Sequence, residues 1–331
     1  MKALVTGAGG FLGRYVTEQL IARGDEVRTF ARGDYPELVE LGAEHVRGDV
    51  ADADSVADAC AGIECVIHTA AKPGIWGSWN RYYETNTVGT QNIIAGCRQH
   101  HVGRLVFSSS PSVTFDGVEQ NGIDETAPYA RRWLCHYPHT KALAEQFVLK
   151  ENKDGLTTCA LRPHLIWGPR DGHLVPRLIE RARSGKLRRV GDGTNLVDMI
   201  YVENAAEAHL QAADALAAQP EVVGGRAYFL SQDEPVNCWD WIDELLALAK
   251  LPPLKKSISY KAAWRVGAAM EAIYGVLGVS AEPRMTRFLA AQLATSHHFD
   301  VSAAKRDLGY APRVSTAAGM HRLGEWLNST S

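Results

Sequence analysis

Apolar and polar positions alternate along this chain in two different rhythms. Over the first two-thirds, near-continuous apolar runs of strand length alternate with segments of helical length. KALVTG reads as a strand, and FLGRYVTEQLIARG as a helix stopped by glycine. EVRTFAR is a strand followed by a short helical turn at PELVELG. HVRGDV is the end of a short strand, and SVADACAG a short helix. ECVIHTAA is a strand, RYYETNTVGTQNIIAGCRQHH a long helix and RLVFSSS a strand. An irregular polar loop is expected over 111–136, then a helix from Tyr137 to about Lys150 and a strand at TTCALRP. Buried strands separated by helices predict right-handed crossovers and a parallel sheet covered on both faces. After Pro163 the rhythm loosens. Residues 166–195 are rich in Gly, Pro and Arg, 197–217 read as a short strand and a helix, and RAYFLS as another strand. From Glu234 onward helices and loops follow without alternation. The expected fold class is α/β, a doubly wound parallel sheet with a smaller, mainly helical C-terminal lobe.

Composition narrows the picture without changing it. The chain has 331 residues, 46% hydrophobic and 22% charged, with a net charge of −3. That is globular composition with ample core, and it carries no broad basic field for nucleic acid. Six cysteines show no CxxC pair, which fits reduced thiols in a reducing compartment, the cytoplasm. MKALVTGAGG is expected to be a strand entering a glycine turn rather than a signal peptide. The stretch at 262–279, AAWRVGAAMEAIYGVLGV, is interrupted by Arg265 and Glu271 and falls short of a clean membrane span. Its expected form is an amphipathic helix covering a pocket, with peripheral membrane contact as the alternative use.

The first glycine turn carries the first chemistry. Gly7, Gly10 and Gly13 fall between the first strand and the first helix, where a tight turn, close backbone approach and helix–sheet packing would receive a dinucleotide pyrophosphate. Phe11 and Leu12 then open the helix whose free N–H groups face the phosphates. The chain is therefore expected to be Rossmann-type, with a dinucleotide-binding domain at 1–165 to which 197–232 returns, and a substrate lobe from 166–196 and 233–331. The second strand ends Thr29-Phe30-Ala31-Arg32. An acid there would bind a ribose 2′-hydroxyl, whereas a guanidinium suits a 2′-phosphate. The expected cofactor is accordingly NADP(H) in preference to NAD(H), with Arg14 as an auxiliary at the phosphates. Asp49 and Val50 are placed to touch the adenine, although Asp49 could equally cap the next helix. The small residues Thr69, Ala70 and Ala71 let backbone run beneath a ligand.

Tyr137 and Lys141 stand four apart on one helical face. A nearby ammonium and an oxidised nicotinamide ring would favour the phenolate and bring proton transfer toward neutral pH. The serine cluster ending RLVFSSS lies at the sheet's ligand-binding edge and can hold a substrate oxygen. Each signal alone is common, and their order and spacing are specific.

With these residues in place the chain resembles the extended short-chain dehydrogenase/reductases. TGxxGFxG at 6–13, FSSSxxV at 107–113, YPHTK at 137–141, LRPxxIWGP at 161–169 and KRDLGYAPRVS at 305–315 stand where that family has them. The resemblance covers nearly the whole chain. CHYPHTKALAEQFVL and GDGTNLVDMIYVENAAEAHLQA are similar to the 3β-hydroxysteroid dehydrogenase branch. AAKPGIWGSW, ARGDYPEL and the IWGP segment look like the bacterial 2-alkyl-3-oxoalkanoate reductases of olefin biosynthesis. The resemblance implies Tyr137 as acid/base and a cofactor contact, Lys141 as its tuner and ribose ligand, and Ser110, with Ser109 as the alternative, orienting the substrate oxygen. It also implies Asn86 near the cofactor, and Pro163, His164 and Leu165 beside the nicotinamide carboxamide. The implied reaction is reduction of the 3-keto group of a hydrophobic 2-alkyl-3-oxoalkanoate, by a homodimer. Rival readings are a 3β-hydroxysteroid dehydrogenase-like enzyme, a nucleotide-sugar epimerase or reductase, and a non-catalytic NADP sensor.

The steroid enzymes have an aspartate where Ala31 stands, so their NAD preference does not transfer. Pro111-Ser112-Val113 replaces the acidic pair of nucleotide-sugar dehydratases. No metal is expected: His100-His101 and His297-His298 read as surface or cap residues. Arg170, Arg177, Arg188 and Arg189 are candidates for a substrate carboxylate. Trp76, Trp79, Trp133, Trp167 and Trp264 are candidates for the wall of an apolar tunnel.

Overall fold

The first strand, β1 (Lys2–Thr6), has its last four residues buried, and its side chains divide between two cores. Ala3 and Val5 point to one face and Leu4 to the other, as the two-residue period of a strand requires. The same two-sided burial holds for β4 (Cys65–His68), β5 (Arg104–Ser108) and β6 (Thr157–Pro163). With β2 (Glu26–Ala31), β3 (Glu44–Arg47) and β7 (Arg226–Leu230) they form one parallel sheet, in the order β7-β6-β5-β4-β1-β2-β3. The computed structural model describes residues 1–329. Residues 330 and 331, the end of the expected C-terminal lobe, lie outside the described residues.

One face of the sheet is covered by α1 (Phe11–Ala22) and by a helix formed much later in the chain, Val202–Ala218. That late helix buries Ala205, Ala206, Ala208, Ala212 and Ala213 completely, so small side chains allow it to lie close to α1 and the strands. The other face is covered by α2 (Ala53–Cys60), α3 and α4 (His136–Lys150). The rod α3 comprises Trp79–Tyr83, a π turn over Glu84–Val88, and Gly89–Gln99. The predicted long helix is therefore present but locally widened, and the widening falls on Asn86.

A second core gathers Trp167, Val175, Leu178, Trp239, Trp241 and Leu245 from later segments. Its helices include α5 (Leu174–Arg183), α7 (Cys238–Leu248), α8 (Tyr260–Val276) and α9 (Arg287–Ala294), whereas α6, the Val202–Ala218 helix, belongs to the core of the sheet. Two expectations need correction. The loop at 111–136 contains a 3₁₀ turn at Pro111–Thr114 and a strand at Gln120–Ile123. That strand pairs with His297–Phe299, so His297 is no surface residue: it is 2% exposed and bonded to His164 at 2.7 Å. Adjacent polar histidines gave no apolar signal for a strand whose partner lies far away in sequence. No described helix is long and apolar enough to cross a membrane.

Candidate active site

Strand order reverses between β1 and β4, and ligands of open α/β sheets bind at the carboxyl ends of strands at such a point. Here Thr69 donates from both its amide and its hydroxyl to the Thr6 carbonyl, holding the two strand ends together. The chain leaves β1 at Gly7 with φ +73, and a Cβ there would lie 2.7 Å from the Ala70 backbone. A Cβ at Gly13 would overlap the Gly7 carbonyl. Both positions need glycine, one for conformation and space and the other for packing. The helix α1 has no side-chain cap at Gly10 and no acid in its first turn. The first-turn amides, including those of Phe11, Leu12 and Gly13, therefore keep a positive helix end that no acid of the turn itself offsets. These residues fit a dinucleotide pyrophosphate.

A cleft of about 230 Å³ opens at this turn. Gly7, Gly10, Arg32, Asp49 and Val50 line it, with Thr69, Ala70 and Ala71 along the β4 end. Asp49 is not the helix cap: Asp52 accepts from the amides of Asp54 and Ser55, while Asp49 accepts from Ala51. Arg14 is engaged by Glu18 and Glu37. The sequence reading missed Gly9 and Tyr35, which also line the cleft. The Tyr35 ring occupies the space where a Gly9 side chain would be. The signal was present as a glycine within the turn, but its partner aromatic lies a whole βα unit away.

The catalytic candidates come from two neighbouring elements. Ser110 follows β5 and begins the 3₁₀ turn; its hydroxyl accepts from the Ser112 amide at 3.2 Å and lies 2.8 Å from the Ser112 hydroxyl. Tyr137 and Lys141 lie on α4. Against the expectation of a lowered phenol pKa, burial pushes Tyr137 up to about 12, with the Ser110 hydrogen bond pulling the other way. Lys141 is 1% exposed; it donates to the Ser108 carbonyl at 2.6 Å and stands 3.9 Å from the Phe107 ring centroid. Burial lowers it to about 7, and Glu145 opposes that shift. The protein's own groups thus keep the phenol protonated at neutral pH, where it can donate.

Because the folded value of Lys141 lies below the ordinary lysine value, the unfolded chain carries the extra proton between about pH 7 and pH 10.5. Stability from this group therefore rises with pH across that window, by at most about 1.4 kcal/mol per pH unit. Urea midpoints at about pH 7 and pH 9 should show this rise in the wild type and lose it in Lys141→Met.

Asn86 sits in the π turn. Its side-chain oxygen accepts from the Lys72 amide at 2.7 Å, and its nitrogen donates to the Thr140 hydroxyl at 3.0 Å. Thr140 in turn donates to the Tyr137 carbonyl at 3.0 Å. A widened turn at a functional position is a recurring use of π geometry. Pro163 ends β6, and Leu165 has φ +43, a strained conformation for leucine.

Beside Tyr137 lies a larger cavity of about 1340 Å³, walled by Trp76, Trp79, Trp133, Leu134 and Tyr274, with Cys135, His136 and His139 at the α4 end. His139 is sandwiched by Trp133, stacked at 5.0 Å, and Trp79 at 4.8 Å. The α8 segment forms the opposite wall, tied down by the Trp76 indole donating to the Val279 carbonyl. Two other tryptophans do not reach this cavity. Trp167 is buried in the second core against Tyr201 and Trp241, and Trp264 lies beside Tyr260 in a separate shallow groove.

The 3-beta hydroxysteroid dehydrogenase/isomerase family matches residues 4–258, a span holding the glycine turn, the serine cluster and the tyrosine–lysine helix together. The chain belongs to this family. It is 49% identical over 326 residues to a 2-alkyl-3-oxoalkanoate reductase of Stenotrophomonas maltophilia, covering 98% of both chains. It is 34% identical to a decarboxylating sterol-4-alpha-carboxylate 3-dehydrogenase of Mus musculus, covering 97% of this chain and 89% of that one. Among solved structures, MoeE5 in complex with UDP-glucose and NAD superposes with a TM-score of 0.75 at 25% identity, over 100% and 99% of the two chains. The family member described here is thus an oxidoreductase acting on keto or hydroxy groups, on the nicotinamide-binding scaffold its sequence predicts.

The arginines of the second lobe are mostly occupied. Arg170 is held by Glu18 and stacks on Tyr15, Arg177 pairs with Glu282, and Arg189 with Asp243. Three of the four proposed carboxylate ligands therefore already have protein carboxylates, and Arg188 lies outside the large cavity.

Proposed function

We propose that this protein is an NADP(H)-dependent reductase of 2-alkyl-3-oxoalkanoates, returning 2-alkyl-3-hydroxyalkanoates. The observation that carries the reading is the large tryptophan-walled cavity at the start of α4, lined by Cys135 and His136, the two residues that precede Tyr137. The near-full-length relative at 49% identity supports the substrate class. The two relatives also agree chemically, since both names put a carboxyl group on the carbon next to the one that is oxidised or reduced.

The glycine turn and α1 hold the pyrophosphate, Arg32 the 2′-phosphate and Lys141 the nicotinamide ribose, with Asn86, Pro163 and Leu165 bordering the ring. When bound, the dinucleotide supplies the hydride for the ketone carbon. Ser110 holds the ketone oxygen, and Tyr137, protonated at neutral pH, gives that oxygen its proton as charge develops. Lys141 then stabilises the phenolate left on Tyr137. Aromatic walls keep bulk water from the reacting carbon and accept the alkyl chains. We extend the reading to a cytoplasmic homodimer, the arrangement implied by the family resemblance; the free cysteines fit a reducing compartment.

The test follows NADPH and NADH consumption with a racemic 2-alkyl-3-oxoalkanoate and with a 3-ketosteroid. Turnover of the oxoacid with NADPH is expected. Steroid turnover with NADH instead would overturn both cofactor and substrate. Arg32→Ala should raise the NADPH KM by about ten- to a hundredfold, the worth of a charged hydrogen bond, and leave the NADH KM unchanged.

A further inference from the structure

The substrate class proposed above carries a carboxylate, and the second-lobe arginines do not offer it a free partner. The charges of the large cavity are unequal. Among the described residues its cations are Lys72, Arg81 and Arg287, and its one carboxylate is Glu271. Glu271 is already engaged on both oxygens, by the Arg287 side chain and the Arg287 amide, each at 2.6 Å. The wall facing substrate thus keeps a positive excess in otherwise aromatic surroundings.

Lys72 is the cation tied most directly to the reaction centre. Its backbone is clamped on both sides by one side chain: the Asn86 amide oxygen accepts from its N–H at 2.7 Å, and the Asn86 nitrogen donates to its carbonyl at 3.3 Å. The same nitrogen reaches Thr140, which bonds to the Tyr137 carbonyl. The π turn therefore fixes the backbone of Lys72 and the turn bearing Tyr137 through one asparagine. The Lys72 ammonium stands 5.2 Å from the Tyr82 ring centroid. That phenol is itself close enough to Tyr137 and Cys135 to feel both. Among the described residues no carboxylate pairs with Lys72, so its hydrogen bonds remain available to a ligand. Arg81 is more exposed, on the outer turn of α3.

We propose that Lys72 anchors the carboxylate of the substrate and thereby sets which carbonyl reaches Ser110 and Tyr137. In a 3-oxoacid one carbon separates carboxylate from ketone, so an ammonium beside the reaction centre selects the 3-keto group over carbonyls farther along the chain. The tryptophan walls then receive both alkyl branches. Lys72 acts on binding and register; proton transfer stays with Tyr137. This inference rests on the oxoacid reading, and its test separates the two.

The oxidative direction provides stable probes: a long-chain 2-alkyl-3-hydroxyalkanoate and its methyl ester, each with NADP⁺, on wild type, Lys72→Gln and Lys72→Arg. Lys72→Gln should lower kcat/KM for the acid by about ten- to a hundredfold, mainly through KM, as expected for a lost charge-assisted contact. It should leave the ester rate and the NADP⁺ KM unchanged, and Lys72→Arg should recover part of the acid rate. Equal losses for acid and ester, or a raised NADP⁺ KM alone, would overturn the anchor while leaving the reductase reading intact. If wild type turns over neither compound, calorimetry with a non-reacting 2-alkyl fatty acid on the NADP⁺-loaded protein decides. Tighter binding to wild type than to Lys72→Gln keeps the anchor and removes the reaction; equal binding removes the anchor too.

Discussion

Tyr137→Phe should lower kcat by about 10²–10⁴-fold, the usual worth of a positioned general acid, while leaving the fold and the dinucleotide affinity near wild type. The substitution removes one oxygen from a partly buried ring and nothing from the hydrophobic contacts. The phenol is held protonated by burial, with its value pushed up to about 12, so at neutral pH the wild-type donor is fully loaded. Ser110, whose hydrogen bonding opposes that rise, is itself braced by the Ser112 amide and hydroxyl. Single-turnover measurement with pre-bound NADPH checks the prediction. A loss confined to KM, with kcat retained, would show that Tyr137 holds substrate and that the proton comes from elsewhere.

Glu145→Ala should cost about 3–5 kcal/mol, a large part of the stability of an ordinary domain. Glu145 is fully buried one turn beyond Lys141 and receives hydrogen bonds from Arg162 and from the Tyr129 hydroxyl. Arg162 is 3% exposed on β6, between the Tyr129 and Phe229 rings. Removing the carboxylate leaves a buried guanidinium without a counter-charge, and the penalty comes from that stranded charge. The double replacement Glu145→Leu with Arg162→Met should therefore recover much of the loss. Urea unfolding of the two variants gives the answer: a double variant no more stable than Glu145→Ala would contradict the argument. Because this pair joins α4 to β6, Glu145→Ala should also loosen the helix that carries Tyr137 and Lys141.

Much of the site could be read from the order of residues because its parts are local. A strand that turns at Gly7 and enters a helix at Phe11 states its purpose within one short segment. Tyr137 and Lys141 share a face because helical geometry puts residues four apart together. The parallel sheet was legible too, since strands covered on both faces must be apolar throughout, and that pattern survives in one dimension. The tyrosine's electrostatics were less legible. Spacing places an ammonium on the same face, but burial acts on both groups and comes from residues distant in the chain.

By itself, then, the sequence determined the doubly wound scaffold, the glycine turn and the tyrosine–lysine helix, because backbone periodicity and short-range spacing encode them. Tertiary structure alone decided which cations remain unpaired and which tryptophans reach the cavity. Arg170 looked free until α1 brought Glu18 to it. His297 looked superficial until strand pairing buried it. Lys72 stood inside the AAKPGIWGSW segment without a role of its own, and its placement depends on a π turn that aims Asn86 at its backbone. Charge pairing and burial are sums over neighbours contributed by the whole fold, and no local spacing rule contains them.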